Sequence, residues 1–227
     1  MRVDLSEASS DRFAEQLRGF GPIGLLAAIA IFLGNAIFVS LGGILVLVWV
    51  RLSRTPWFEI GYVRPRSWAA TIAGGTVFGV ALKFALKALA MPLLGAEPVN
   101  HAYHYLAGNR AAIPFTLFTL TVGAGFGEET VFRGFLFERF GRVFGSSIAA
   151  KIAIVAITSI VFGLAHYSVQ GLAGTEQAIM TGLAFGTVVA ITGRIWMVMI
   201  AHAAYDLTAY AMIYWNAETA VAHILFR

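Results

Sequence analysis

Residues 112–136 read AIPFTLFTLTVGAGFGEETVFRGFL, and this stretch decides what kind of chain it belongs to. Residues 112–127 carry no charge and run directly into Glu128 and Glu129, with Arg133 one helical turn later. As a helix, such a stretch lies in hydrocarbon. Ionisable groups at that depth cost on the order of several kcal/mol unless paired or hydrated, so they are functional-site candidates by default.

Outward from this stretch the same texture continues. Further apolar runs cover 19–50, 68–95, 147–169, 175–193 and 195–215. The 227 residues are 59% hydrophobic and 12% charged, where a soluble domain carries roughly a quarter charged residues. The expected fold is therefore all-α: a polytopic transmembrane helix bundle forming a single integral membrane domain over 1–227. As one helix, the run 19–50 would be about 46 Å long, against a hydrocarbon core of about 30 Å. It is expected to fold back at Gly34-Asn35, which gives seven spans.

Charge agrees with the fold-back. With the N-terminus inside, twelve of the sixteen Lys and Arg fall on the inner side: Arg2, Arg12, Arg18, Arg51, Arg54, Arg64, Arg66, Arg133, Arg139, Arg142, Lys151 and Arg194. Arg110 and Arg227 fall outside, and Lys83 and Lys87 lie on the third span. This asymmetry is what the positive-inside rule asks of a multi-pass protein of a bacterial-type cell membrane with a cytoplasmic N-terminus. The opening MRVDLSEASSDRFAEQLRGFG is too polar for a cleavable signal peptide.

Composition excludes several classes. The chain has no cysteine, so disulfides, thiolate metal sites, a cysteine nucleophile and thiol-linked lipid anchors are ruled out. The net charge of +4 is not gathered into a basic patch with interleaved aromatics, so no nucleic-acid partner is expected. No H-E-x-x-H, G-x-S-x-G or G-x-G-D occurs, and Ser159 and Ser168 lack the glycine frame of an exposed nucleophile.

The polar residues inside the spans fall into three groups. Glu129 and Arg133 are i,i+4 neighbours, the ordinary spacing of a helical ion pair. Glu128 is rotated about 100° from Glu129 and has Phe132 at its own i+4 position, so it is the carboxylate suited to a general base. Phe162 and His166 form the second group. His202 and Asp206 form the third, again i,i+4, a spacing that suits an Asp–His hydrogen bond or two ligands of one metal. Simple span boundaries place His166 about 10 Å nearer the outer face than Glu128 and His202, several residues of helix rise.

E-E-x-x-x-R, F-x-x-x-H and H-x-x-x-D, in this order on separate spans and with F-R-G-F-L at 132–136, resemble the CAAX protease and bacteriocin-processing family of intramembrane proteases, also called the Abi family. The resemblance covers roughly 112–210. It implies an intramembrane endopeptidase acting on a membrane-associated or lipidated peptide or protein, in CAAX-type or leader-peptide processing. By that analogy Glu128 activates water with help from His166, and His202 and Asp206 bind the oxyanion or help position the scissile carbonyl, supported by Glu129, Arg133 and Phe162. Asparagine is common where this chain has Asp206, and an ionised carboxylate does not donate to an oxyanion. Asp206 is then protonated, orients His202, or binds a cation. Glu128, His166, His202 and Asp206 are also a zinc-type donor set, so a metalloendopeptidase with one divalent metal and a metal-free glutamate mechanism both stay open. The alternatives to a protease are a catalytically inactive scaffold or bacteriocin-immunity protein, and a proton relay or transporter.

Other residues have plainer expectations. His101 and His104 lie in a wet outer loop, Lys83 and Lys87 snorkel outward, and Asn216–Arg227 forms a short interfacial helix. Trp49, Trp57, Trp68, Trp196 and Trp215 anchor span ends at the bilayer interface.

Overall fold

The structure, a computed structural model, describes residues 5–226. Arg2 and Arg227, both part of the charge asymmetry, lie outside them. Helices make up the fold, with no strand among the described residues: α1 (Leu5–Arg18), α2 (Pro22–Ile37), α3 (Val39–Leu52), α4 (Trp68–Leu93), α5 (Arg110–Phe144), α6 (Ile148–Thr192), α7 (Trp196–Tyr214) and α8 (Glu218–Ala222). The outer surface is apolar. On α2, Leu25, Leu26, Ile29 and Leu33 are each more than half exposed, as expected of helices that face lipid rather than water. This is an integral membrane protein.

Three helices are long and apolar enough to cross a membrane: α4, α5 and α6. A fourth crossing is α2 if it is joined to Asp11–Arg18, from which it is bent by 62°. The expected count of seven is thus larger than length and hydropathy alone give. Three causes are evident. The apolar helix α3 has only 14 residues, about 21 Å. Helix α7, 19 residues long with His202 and Asp206 within it, is not among the helices apolar enough to cross. Last, α6 is one continuous run of 45 residues.

That run is nevertheless folded in two. Gly171 holds φ 63° and ψ −160°, a conformation open to glycine and costly for other residues. Contacts across the break are antiparallel: a Cβ on Gly163 would meet Ile179, and one on Gly182 would meet Ser159. Limbs 148–170 and 172–192 therefore pack face to face.

The fold-back near residue 35 is also present, with its turn displaced. Phe38 is the single extended residue between α2 and α3 (φ −154°, ψ 118°). Gly34 and Asn35 lie on the packed face instead, where a Cβ on Gly42 would come 2.6 Å from that of Asn35. The glycines were signals of close helix packing rather than of a turn.

Basic residues gather at one end of the bundle. Arg139 and Arg142 both donate to the Arg18 carbonyl, Arg18 pairs with Glu59, and Arg54 pairs with Asp11. Trp49 belongs to this end but not to its surface. It is 3% exposed, donates to the Leu17 carbonyl at 3.0 Å and packs edge-on against Phe135. It is a core residue, not the interfacial anchor expected. Trp57, Trp68 and Trp215 are exposed.

At the opposite end the tail is tied down. Glu218 of α8 is buried, pairs with Lys87 at 3.3 Å and accepts from the Asn100 backbone at 3.1 Å. Lys87 therefore does not snorkel; it fastens the loop before α5 to the C-terminal helix. His101 stays exposed and pairs with Glu97 at 2.8 Å.

Candidate active site

Helix α5 carries the acids at its middle. Its backbone widens to the π-helical pattern over Thr119–Glu128 and again over Thr130–Phe135, and such widened turns recur at functional sites. Neighbouring helices close on this turn from two sides. A Cβ on Gly125 would lie 2.9 Å from the Met199 carbonyl oxygen of α7, and one on Gly127 would lie 2.6 Å from the Val39 carbonyl oxygen of α3. Only glycine leaves room for both backbones so near Glu128.

Glu129 is fully buried. Its Oε1 accepts from Arg133 Nη1 at 2.9 Å, the i,i+4 pair expected, and also from His202 Nδ1 at 2.7 Å. The Arg133 guanidinium lies 4.4 Å from the Phe162 ring centroid, so a cation–π contact satisfies part of its buried charge. Phe162 is itself 1% exposed and touches the rings of Phe132, His166 and His202. Phe185, which nothing in the motifs marks, closes the other side of His202 at 5.4 Å.

The second nitrogen of His202 faces the remaining acids. Nε2 lies 3.7 Å from Glu128 Oε2 and 3.6 Å from Asp206 Oδ2. His166 Nδ1 donates to the Phe162 carbonyl one turn back at 2.8 Å, which fixes the tautomer and leaves Nε2 free to accept. Glu128, His166, His202 and Asp206 all line one cavity of about 260 Å³. The offset in depth expected for His166 does not separate them. Helix α5 runs on to Phe144, so Glu128 sits at its centre rather than at its inner end.

The cavity wall includes residues with no motif. Tyr103 and Gln170 meet across it, with Gln170 Nε2 donating to the Tyr103 hydroxyl at 3.2 Å. Burial holds the Tyr103 hydroxyl above its ordinary pKa, with Asp206 adding to the effect. Lys83 also lines this wall and is 6% exposed, contrary to the expectation that it snorkels. The sequence does hold a signal for it: Gly75, Gly79 and Lys83 recur at i+4 and so share one helix face. That face is pressed onto α7, where a Cβ on Gly79 would fall 2.0 Å from the Ala201 carbonyl oxygen.

Among the described residues, no group of three or more His, Cys, Asp and Glu is arranged to hold a metal ion. Nδ1 of each imidazole is committed, to Glu129 and to the Phe162 carbonyl, which leaves Nε2 of each for chemistry.

Fold and site together define a class: a helical membrane protein with an imidazole held among three carboxylates in an internal cavity. Residues 110–208 match the family described as Type II CAAX prenyl endopeptidase Rce1-like, so this segment is similar to that family of peptidases. The match runs from the start of α5 to just beyond Asp206 and leaves α1–α4 outside it. No curated protein and no solved structure matches the chain.

Proposed function

We propose that this protein is an intramembrane endopeptidase that hydrolyses a peptide bond in a membrane-associated or prenylated substrate with water activated by Glu128. The observation that carries this reading is the convergence of Glu128, His166, His202 and Asp206, from three separate helices, on one cavity. A binding scaffold has no need of a base and two imidazoles aimed at the same space.

In the proposed sequence of steps, the attacking water lies between Glu128 and His166 Nε2. Glu128 removes a proton from it and the oxygen adds to the scissile carbonyl carbon. His202, steadied at Nδ1 by Glu129, donates from Nε2 to the oxyanion that develops. Asp206, 3.6 Å from that nitrogen, braces the ring. As the intermediate collapses the C–N bond breaks, and the proton held by Glu128 passes to the departing amine. Arg133 and Phe162 hold Glu129 and both imidazoles in place. No step requires a metal.

For topology, we read seven crossings with the N-terminus on the cytoplasmic side. The support is the helical hairpin α2–α3, the break of α6 at Gly171 and the gathering of arginines at one end.

The test is a comparison of protein termini in membranes carrying the wild-type chain or Glu128→Gln. Termini that appear only with wild type are the expected result. Identical termini from the two, with any phenotype of the chain kept by the variant, would move the assignment to a binding scaffold.

A further inference from the structure

Lys83 is a buried cation without an ion pair among the described residues. Its one hydrogen bond there goes to a neutral group, Gln177 Oε1 at 3.3 Å, and its ammonium lies 4.9 Å from the Tyr205 ring centroid. The other lysine of α4, Lys87, is also buried but pairs with Glu218. Asp206 and Glu218 act on Lys83 from beyond ion-pair distance, so its ammonium has no direct anionic partner among the described residues and is placed to receive one. Position narrows the choice. Lys83 and Gln177 form part of the wall shared by the cavity holding Glu128 and a neighbouring cavity of about 450 Å³. With Oε1 of Gln177 turned to Lys83, its Nε2 supplies a second donor.

We infer that Lys83 and Gln177 form an anion subsite that receives the C-terminal carboxylate of the substrate. The inference rests on the peptidase reading above and adds to it the feature by which substrate is chosen. Around the subsite the shared wall includes Ala209 and Ile213, which suit apolar side chains. A short apolar segment carries one charge whatever its sequence: the carboxylate at its end. Held at Lys83, that end sets which peptide bond reaches Glu128, and the lysine keeps it from the repulsion of Glu128 and Asp206. Lys83 is thus a specificity residue. It lies outside the family-matched segment.

The experiment uses the full chain in phosphatidylcholine vesicles and three synthetic farnesylated peptides of the same length. One has a free C-terminal carboxylate, one a C-terminal amide, and one an amide with glutamate as its last residue. Wild type is expected to cleave the free acid with a KM at least about tenfold below that of either amide. Lys83→Met raises KM for the free acid by about tenfold, leaves kcat within about twofold and leaves the plain amide unchanged; Lys83→Arg restores part of the preference. An equal KM for acid and amide in wild type, or an equal loss on both in Lys83→Met, would overturn the subsite. If the glutamate-bearing amide matches the free acid, the assignment to a chain terminus is wrong. Binding of the same peptides to Glu128→Gln, with and without Lys83→Met, separates this idea from the peptidase reading. Preference for the acid that depends on Lys83 supports the subsite even where no cleavage occurs, and equal binding of acid and amide sinks it.

Discussion

His202 Nδ1 donates to Glu129 Oε1 at 2.7 Å, and the same oxygen accepts from Arg133 Nη1 at 2.9 Å. One carboxylate oxygen thus joins an ordinary helical ion pair on α5 to an imidazole on α7. The structural acid and the proposed chemistry are coupled through it.

This coupling separates stability from activity. Breaking a buried pair costs about 3–5 kcal/mol because a charge is stranded, so Glu129→Leu or Arg133→Met alone lowers stability in detergent by about that much. The double variant costs less than the sum of the two, since neither charge is left. Cleavage, however, stays lost in the double variant, because His202 has no anchor. Recovery of activity there would show that Glu129 serves Arg133 alone.

Glu128 behaves in the opposite way. Its nearest basic atom is His202 Nε2 at 3.7 Å, and its side chain keeps 14% exposure toward the cavity. Glu128→Gln is expected to reduce kcat by at least about 10²-fold, the usual contribution of a general base. Its unfolding free energy changes by no more than about 1 kcal/mol. A large loss of stability together with activity would make Glu128 a packing residue.

At Gly127 the concern is steric. A methyl there would sit 2.6 Å from the Val39 carbonyl oxygen, on backbone that cannot swing aside. Gly127→Ala is expected to destabilise by about 1–3 kcal/mol through overpacking. Gly141→Ala on the same helix meets nothing within 4 Å and is the control. Thermal unfolding of the two variants side by side decides the matter, and equal midpoints would contradict the close approach of α3.

Tyr62 lies in the loop between α3 and α4, and its hydroxyl bonds to Thr130 Oγ1 at 2.8 Å on the residue after Glu129. Burial pushes this phenol up to about 12. A folded-state pKa raised above the unfolded value of about 10 gives stability that is complete below pH 10 and is lost as pH climbs from 10 to 12. Wild type should lose about 2–3 kcal/mol across that window, and Tyr62→Phe should lose markedly less. Parallel unfolding curves for the two proteins between pH 10 and 12 would show that Tyr62 does not carry this dependence.

Much of the fold was legible because hydrocarbon imposes it. Long uncharged runs have to become helices in lipid, and the Glu129–Arg133 pair follows from helical periodicity alone. The break at Gly171 was legible only as a gap between apolar runs. Gly34-Asn35 misled because glycine marks both turns and close packing. Lys83 misled because a lysine on a span is usually at its lipid-facing edge, and only the stacking of the Gly75–Gly79 face against α7 turns it inward.

By itself, then, the sequence determined the membrane setting, the helical class and the residue types of three polar groups, since these depend on local composition and on spacing along one helix. Tertiary structure alone decided that Glu129 is shared by Arg133 and His202, that His166 reaches the cavity of Glu128, and that Lys83 faces inward. These relations join residues on different helices, and their distances are set by how the glycine faces of α4 and α5 let neighbouring backbones approach.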